Sequence, residues 1–251
     1  MPKFFVENKQ IQNETIHVIG NDVNHIVNVL RLKKDDMLLV CDKDIGKTYQ
    51  TKIENIQKEK VECTILEEVI DKVESKIEVS IFQGLPKAEK MEYIIQKSTE
   101  LGVKTIRPVS LKRCIVKLDG KDSRKKIERW QKIAEVAAKQ SGRNVIPSIE
   151  DVIEIKRVKE CIKEFDLFLV AYEEEKNVTL KQELKKIKQK YLENNALKIG
   201  ILIGPEGGLE KEEVENLKQS GAKVITLGNR ILRTETAPIA VLSNIMYEYD
   251  E

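Results

Sequence analysis

The pattern of apolar and polar positions changes near residue 71. Before it, short β-branched or apolar runs such as KFFVE, DMLLVCD and KVECTILEEV alternate with Asn, Asp and Gly. Short strands at such regular spacing predict a small β-barrel. One helical insert is expected among them at 22–33, with Asp22 as its N-cap and Ile26, Val29 and Leu30 on its apolar face.

From residue 72 onward, strands alternate with helices. The runs FDLFLVAY, LKIGILIG and AKVITLG are continuously apolar, which is typical of parallel strands buried on both faces. Apolar residues at helical spacing predict helices at 87–103, 122–143, 210–219 and 236–249. This alternation predicts an α/β domain with a parallel sheet over 72–251, after a β-barrel domain over 1–71.

Composition narrows the class of protein. The chain has 251 residues, 41% of them hydrophobic and 34% charged, and no apolar run approaches the length of a membrane span. The N-terminus has no apolar segment of the kind found in secretory signals. Four scattered cysteines and two histidines do not predict a metal site. Reduced, buried cysteines in a cytoplasmic protein are the expectation.

Charge is unevenly distributed along the chain. The net charge is only +2, yet residues 111–143 contain eleven Lys or Arg against four Asp or Glu. A local basic stretch predicts a polyanionic partner such as a nucleic acid. A solvated helix face is the alternative. Trp130 lies on the apolar stripe of this helix, so we expect it in the core.

Two glycine-containing turns follow apolar strands. Gly204, Gly207 and Gly208 allow the backbone to turn sharply and approach a ligand, and Pro205 stiffens the turn. No G-K-[ST] or G-x-G-x-x-G pattern is present, and the following glutamates would repel a pyrophosphate. The turn suits a neutral or cationic ligand, unless it is simply a structural hairpin.

Four motifs together resemble a known family. IGPEGG is followed by LGNRILRTETA, with MEYIIQKSTELGV and RWQKIAEVAAKQSGR upstream. The chain resembles the small-subunit ribosomal RNA uridine-N3 methyltransferases of the SPOUT superfamily over essentially its whole length. The resemblance implies a PUA-like N-terminal domain, a parallel-sheet domain with a C-terminal trefoil knot, and a homodimer formed partly by the last helix. Lys3 stands where many members have arginine.

The resemblance also implies a methyl donor and its contacts. S-adenosylmethionine would bind at the ends of three strands, without a metal. The implied contacts are Ala171, Gly204, Pro205, Gly207, Gly208, Leu227, Gly228, Ile231, Leu232 and Thr236.

The acceptor implied by the family is N3 of a uridine, whose proton must leave as the methyl arrives. Negative charge then spreads onto O2 and O4, and the guanidinium of Arg233 is the candidate to stabilise it. Arg230 would hold a phosphate or the carboxylate of the donor. Glu235 is the candidate base, although its place at a helix start weakens its basicity and favours a positioning role. Surface salt bridges are the alternative for both arginines.

A ribosomal RNA or an assembled small subunit is the expected partner. Candidate RNA contacts are Lys3, His25, Arg31, Arg113, Arg124, Lys125, Arg129, Arg143 and Arg230. Two rival functions stay open: a non-catalytic RNA-binding assembly factor, and a SPOUT methyltransferase with another target nucleotide. A nucleotide hydrolase is disfavoured because the Walker lysine is missing.

Overall fold

The computed structural model describes residues 1–70, 72–118 and 120–249. The chain packs as two compact units, one formed by Met1–Glu74 with Ala138–Ile146 and the other by Ser75–Ala137 with Pro147–Glu251. Asp71, the last residue of the first expected domain, lies outside the described residues, so the boundary there stays a prediction. Sequence patterns did not indicate that 138–146 packs with the N-terminal unit.

The first unit contains a six-stranded sheet. Neighbouring strands are antiparallel except for the parallel pair β1–β4, in the order β1-β4-β5-β6-β3-β2. Alternate residues such as Ile16, Val18, Leu38 and Val40 point into one core, while Phe5 and Cys41 on the other face pack against Ala138. The strands are β1 Lys3–Val6, β2 Ile11–Gln12, β3 Thr15–Ile19, β4 Met37–Asp42, β5 Lys47–Ile56 and β6 Lys60–Val69.

The helical insert of this unit differs from its prediction. Helix α1 spans Asn21–Asn24 and continues as a π-helical turn over His25–Val29. Its N-cap is Gly20, and the carboxylate of Asp22 instead accepts a hydrogen bond from Lys139 at 3.0 Å. Ile26 is buried as predicted, but the extra residue of the π turn, closed by the Leu30 N–H on the His25 carbonyl, shifts Val29 and Leu30 off the apolar face. Val29 is therefore 62% exposed and Leu30 37% exposed.

The second unit contains a seven-stranded parallel sheet. Its order is β10-β8-β7-β12-β11-β13, with β9 also paired to β8. The central strands are rich in buried Ile, Leu and Val, as their continuous apolar runs predicted. The strands are β7 Ile77–Gly84, β8 Thr105–Ser110, β9 Ser148–Ile149, β10 Ile153–Glu154, β11 Leu167–Ala171, β12 Leu197–Ile203 and β13 Lys223–Ile225.

The helices predicted at 87–103, 122–143, 210–219 and 236–249 are present, whereas the helices over 155–161 and 180–194 were not predicted. Trp130 is 5% exposed, which confirms its place in the core. None of the described helices combines the length and apolarity that crossing a membrane requires. The remaining helices are α2 Lys90–Glu100, α3 Gly120–Ser141, α4 Ile155–Cys161, α5 Leu180–Asn194, α6 Lys211–Gln219 and α7 Thr236–Tyr249.

Two residues expected to contact RNA are instead buried in the first unit. The ammonium of Lys3, which is 9% exposed, donates to the Gly142 carbonyl at 2.8 Å and to Asn144 Oδ1 at 2.6 Å. Arg143 is 4% exposed and pairs with Glu74 at 2.7 Å. Because these cations hold the 142–145 segment, we withdraw Lys3 and Arg143 as RNA contacts.

Glu74 is the main acceptor for this segment. Its carboxylate accepts from Arg143 Nη2, from the Asn144 N–H at 2.8 Å and from the Val145 N–H at 3.1 Å. Burial opposes ionisation of Glu74, but the Arg143 guanidinium and the two backbone donors outweigh it and lower its pKa.

We expect Glu74→Ala to lower the free energy of unfolding by about 2 kcal/mol, because buried Arg143 and two half-buried backbone N–H groups lose their acceptor. The loss should be fully present above the pKa of an unfolded glutamate, near 4.5, and should shrink as pH falls through the lower folded-state pKa. Urea denaturation at several pH values measures both. Glu68→Ala, which breaks the exposed pair with Lys47, is the control and should change stability by about 0.5 kcal/mol or less. Equal effects of the two variants would contradict this role of Glu74.

Candidate active site

Three loops of the second unit meet at one edge of the parallel sheet. Strands β12, β11 and β13 are neighbours and run in the same direction, so their carboxyl ends lie together. The loops that follow them enclose a cavity of about 500 Å³. Its lining includes these predicted site residues: Ala171, Gly204, Pro205, Gly207, Gly208, Leu227, Gly228, Arg230, Ile231, Leu232 and Arg233.

The glycine turn at 204–208 requires its glycines. The Gly208 N–H donates to the Pro205 carbonyl at 2.9 Å, and Gly208 has φ +70°. A Cβ atom at Gly208 would meet only the movable carboxylate of Glu173, so the positive φ is what favours glycine there, whereas one at Gly204 would lie 3.0 Å from the Gly208 carbonyl carbon. Side chains here would distort the turn, so its backbone can face the cavity directly.

A threonine joins the two motif loops. Thr234 donates its hydroxyl to the Gly204 carbonyl at 2.7 Å and accepts from Gln83 Nε2 at 2.9 Å. Thr234 is 6% exposed and Gln83 is fully buried. Sequence analysis did not find this link, because a threonine before a helix also suits a cap. Thr236, by contrast, is exposed and does not line the cavity, so the structure does not bring this predicted contact to the site.

The arginine-bearing loop is the exposed wall of the cavity. Gly228 has φ +114°, and its N–H and carbonyl both hydrogen-bond Thr226 Oγ1 at 3.2 Å. Arg230 and Arg233 are exposed and line the cavity. Ile231 is 84% exposed, so its expected apolar packing requires a further molecule.

A lysine that the sequence analysis did not identify lies beside the motif acids. Lys90, the first residue of α2, lines the cavity, and its ammonium lies 2.9 Å from Glu206 Oε1 and 3.3 Å from Glu235 Oε2. Glu206 raises the pKa of Lys90 by hydrogen bonding. The pKa of Glu206 is lowered because Lys90 and backbone N–H groups outweigh the opposing effect of burial. The sequence signal for Lys90 was its position shortly after β7. This strand pairs with β12 in the sheet.

Tyr172 is the other titratable group of note in the lining. Burial and the neighbouring acids Glu174 and Glu173 raise the pKa of Tyr172 to about 12. Its phenol is therefore neutral near pH 7 and is a poor proton acceptor. Within the described ranges, no group of three or more His, Cys, Asp or Glu side chains is arranged to hold a metal ion.

The remaining candidate RNA contacts occupy different environments. Arg113 holds the glycine turn, since it donates to the Gly207 carbonyl and to Glu210, each at 2.9 Å. Arg124 and Lys125 are exposed on α3, and Arg129 on the same helix pairs with Glu92 at 2.9 Å. In the first unit, His25 and Arg31 are exposed.

Comparison with known proteins identifies the class to which this fold and cavity belong. A model described as an RNA methyltransferase domain matches residues 73–246, and one described as an RNA methyltransferase PUA domain matches residues 18–66. The chain is therefore an RNA methyltransferase whose parallel-sheet domain follows a PUA-like domain.

Its relatives define the family more closely. Ribosomal RNA small subunit methyltransferase E of Bacillus subtilis is 40% identical over 99% of this chain and 97% of its own length. The protein of that name from Mesomycoplasma hyopneumoniae is 34% identical over 97% and 98%. The Neisseria gonorrhoeae protein of that name, in a crystal structure with bound S-adenosylmethionine, aligns with a TM-score of 0.85 at 30% identity, covering 99% and 98%. This chain belongs to the ribosomal RNA small subunit methyltransferase E family, which confirms the resemblance seen in its motifs.

We expect Thr234→Val to lower the free energy of unfolding by about 2 kcal/mol, because the Gly204 carbonyl and the Gln83 amide each lose a buried partner. Urea denaturation measures the change. Thr236→Val makes the same chemical change at an exposed side chain and should be nearly neutral. Equal stability of Thr234→Val and the unmodified protein would show that the link between the loops contributes nothing.

Proposed function

We propose that this chain transfers the methyl group of S-adenosylmethionine to N3 of a uridine in small-subunit ribosomal RNA. The observation that carries the proposal is the single cavity formed by the 204–208 turn and the 227–234 loop. Family membership supports ribosomal RNA as the substrate. The choice of uridine N3 rests on the resemblance of the ordered motifs.

The cavity suits the proposed donor in size and chemistry. Its volume of about 500 Å³ is in the usual range for small-molecule sites. Backbone groups of the glycine turn and the apolar side chains of Leu227 and Leu232 would contact the adenosyl group. Carboxylates of Glu173 and Glu206 also line the cavity and complement a cationic ligand. S-adenosylmethionine, when bound, supplies an electrophilic methyl group on a sulfonium.

Arg233 is the proposed catalytic residue. Removal of the N3 proton leaves negative charge on O2 and O4 of the uracil. The guanidinium of Arg233 lines the cavity, stays charged, and presents several donors that can stabilise such oxygens. Arg230, on the same loop, would bind a phosphate or the carboxylate of the donor.

Glu235 has a positioning role in this proposal rather than that of a base. Its side chain is outside the cavity lining, and one carboxylate oxygen lies 3.3 Å from the Lys90 ammonium. In this proposal the proton passes to water or to a phosphate oxygen of the RNA.

The RNA would contact exposed cations of both units. On α3 these are Arg124, Lys125 and Arg129, and in the first unit they are His25 and Arg31. Phosphate contacts of this kind position an RNA without reading its sequence.

We also propose a cytoplasmic homodimer whose interface includes α7, where Tyr247 is 89% exposed. A knotted chain path through the 227–249 segment is a further part of the proposal.

A non-catalytic assembly factor is the alternative, and the glycine turn and arginine loop that line the cavity argue against it. Calorimetry with S-adenosylmethionine discriminates the two, since an assembly factor that has lost the donor site would not bind it. For the enzyme, labelled donor and small subunits from a strain lacking the modification should yield one methylated uridine. Methylation of another nucleotide would overturn the proposed target but would still agree with the enzyme class.

We expect Arg233→Ala to lower kcat by about 100-fold or more, as removal of an oxyanion-stabilising donor does elsewhere. Glu235→Gln should keep most of the activity, because in this proposal Glu235 does not act on the reacting atoms. Initial rates with small subunits and labelled donor measure both, and unchanged donor affinity checks that the site remains folded. A large loss in Glu235→Gln with little loss in Arg233→Ala would reverse the assigned roles.

We expect the double variant Arg124→Ala/Lys125→Ala to weaken RNA binding and to reduce the slope of log K against log [salt] by about 1.5. The reason is that binding releases fewer counterions from the RNA when fewer phosphates are contacted. Fluorescence anisotropy with a small-subunit RNA fragment across a salt series measures the slope. Lys181→Ala/Lys185→Ala on α5 removes two exposed charges elsewhere and should leave the slope unchanged. Identical slopes for both double variants would remove α3 from the RNA-binding surface.

A further inference from the structure

The start of α2 contacts both motif loops through one side chain. Lys90 reaches Glu206 of the glycine turn at 2.9 Å and Glu235 of the arginine loop at 3.3 Å. The ammonium is thus shared by two segments that are distant in sequence. None of the motifs that carry the family resemblance predicted this contact.

The segment before Lys90 also holds the glycine turn. The Lys87 N–H donates to Glu206 Oε1 at 3.1 Å, and Ala88 adopts φ +53°, which is uncommon for a residue with a side chain. At the end of β7, a Cβ atom on Gly84 would lie 2.7 Å from Pro205. The β7–α2 connection therefore packs directly against the turn that lines the cavity.

Glu235 depends on this lysine for its charge balance. Its Oε2 is buried and accepts no hydrogen bond of good geometry from the residues that the structure describes. Lys90 is the cation beside it, and the side chain of Glu235 is 18% exposed. A buried carboxylate oxygen without a donor is costly, so the nearby ammonium stabilises the observed place of Glu235.

Lys90 does not serve its own helix. A cation in the first turn of a helix opposes the helix dipole. If Lys90 acted only on its own helix, its removal should stabilise α2 locally. If it joins the two loops, its removal should make those loops more mobile. The two roles predict changes of opposite direction.

We propose that Lys90 is a positioning residue that joins the 204–208 turn to the 227–235 loop and so sets the width of the donor cavity. It acts through Glu206 and Glu235 rather than on the reacting atoms, since both carboxylates already engage its ammonium. The effect on the loops is independent of the reaction, while the effect on donor affinity rests on the proposed function.

The test compares Lys90→Met with Lys97→Met, which removes a similarly exposed lysine of the same helix that pairs with Glu100 at 2.8 Å. In ligand-free protein, the rate of amide hydrogen exchange in 204–208 and 227–235 should rise about fivefold in Lys90→Met, because one partly exposed ion pair is lost. Exchange in α2 should not rise. Lys97→Met should leave both loops unchanged, and Lys90→Arg should restore most of the protection.

Donor binding gives a second readout. Calorimetry should show about a fivefold higher Kd for S-adenosylmethionine in Lys90→Met, with most of the affinity recovered in Lys90→Arg. In Glu206→Gln/Glu235→Gln protein, Lys90→Met should add little to either measurement, because the ammonium no longer has carboxylates to join.

Three outcomes overturn the inference: loop exchange equal in Lys90→Met and Lys97→Met, an increase confined to α2, or full additivity with the double carboxamide variant. Absence of donor binding in the unmodified protein would instead contradict the proposed function. The hydrogen-exchange comparison would remain a valid test of the bridge in that case.

Discussion

The site depends on the parallel pairing of β12, β11 and β13. Because these strands are adjacent and run in one direction, the segments that follow them begin at the same edge of the sheet. The hydrogen bond from Thr234 to the Gly204 carbonyl then fixes the distance between the two motif loops. The glycines allow the backbone, rather than side chains, to form the surface between them.

The charges of the cavity are divided between its walls. Glu173 and Glu206 belong to the β11 and β12 loops, while Arg230 and Arg233 belong to the loop after β13. In the proposed function, a cationic methyl donor and an acceptor that becomes anionic require opposite complements, which these two walls would provide. The Lys90 ammonium lies between Glu206 of one loop and Glu235 of the other, at 2.9 Å and 3.3 Å.

Local pattern was sufficient for most elements and for the glycine turn at 204–208, whereas the other predicted lining residues were implied by the family resemblance. The strand β6 and helix α7 begin and end where their apolar runs predicted, because burial of one face or both dictates those positions. The π turn after α1 was beyond such reasoning, since one extra residue in a turn leaves no periodic signal. Lys3, Arg143 and Lys90 were missed or misassigned for another reason. Their partners are distant in sequence, and a basic residue has the same appearance whether it faces RNA or a buried carboxylate.

A crystal structure of this protein with S-adenosylhomocysteine tests the central claim most directly. The account predicts the adenosyl group between the 204–208 turn and the 227–232 segment, with its sulfur on the side lined by Arg233 and with Ile231 covered. An adenosyl group bound elsewhere on the molecule, or a complex in which Arg233 faces away from the sulfur, would contradict it.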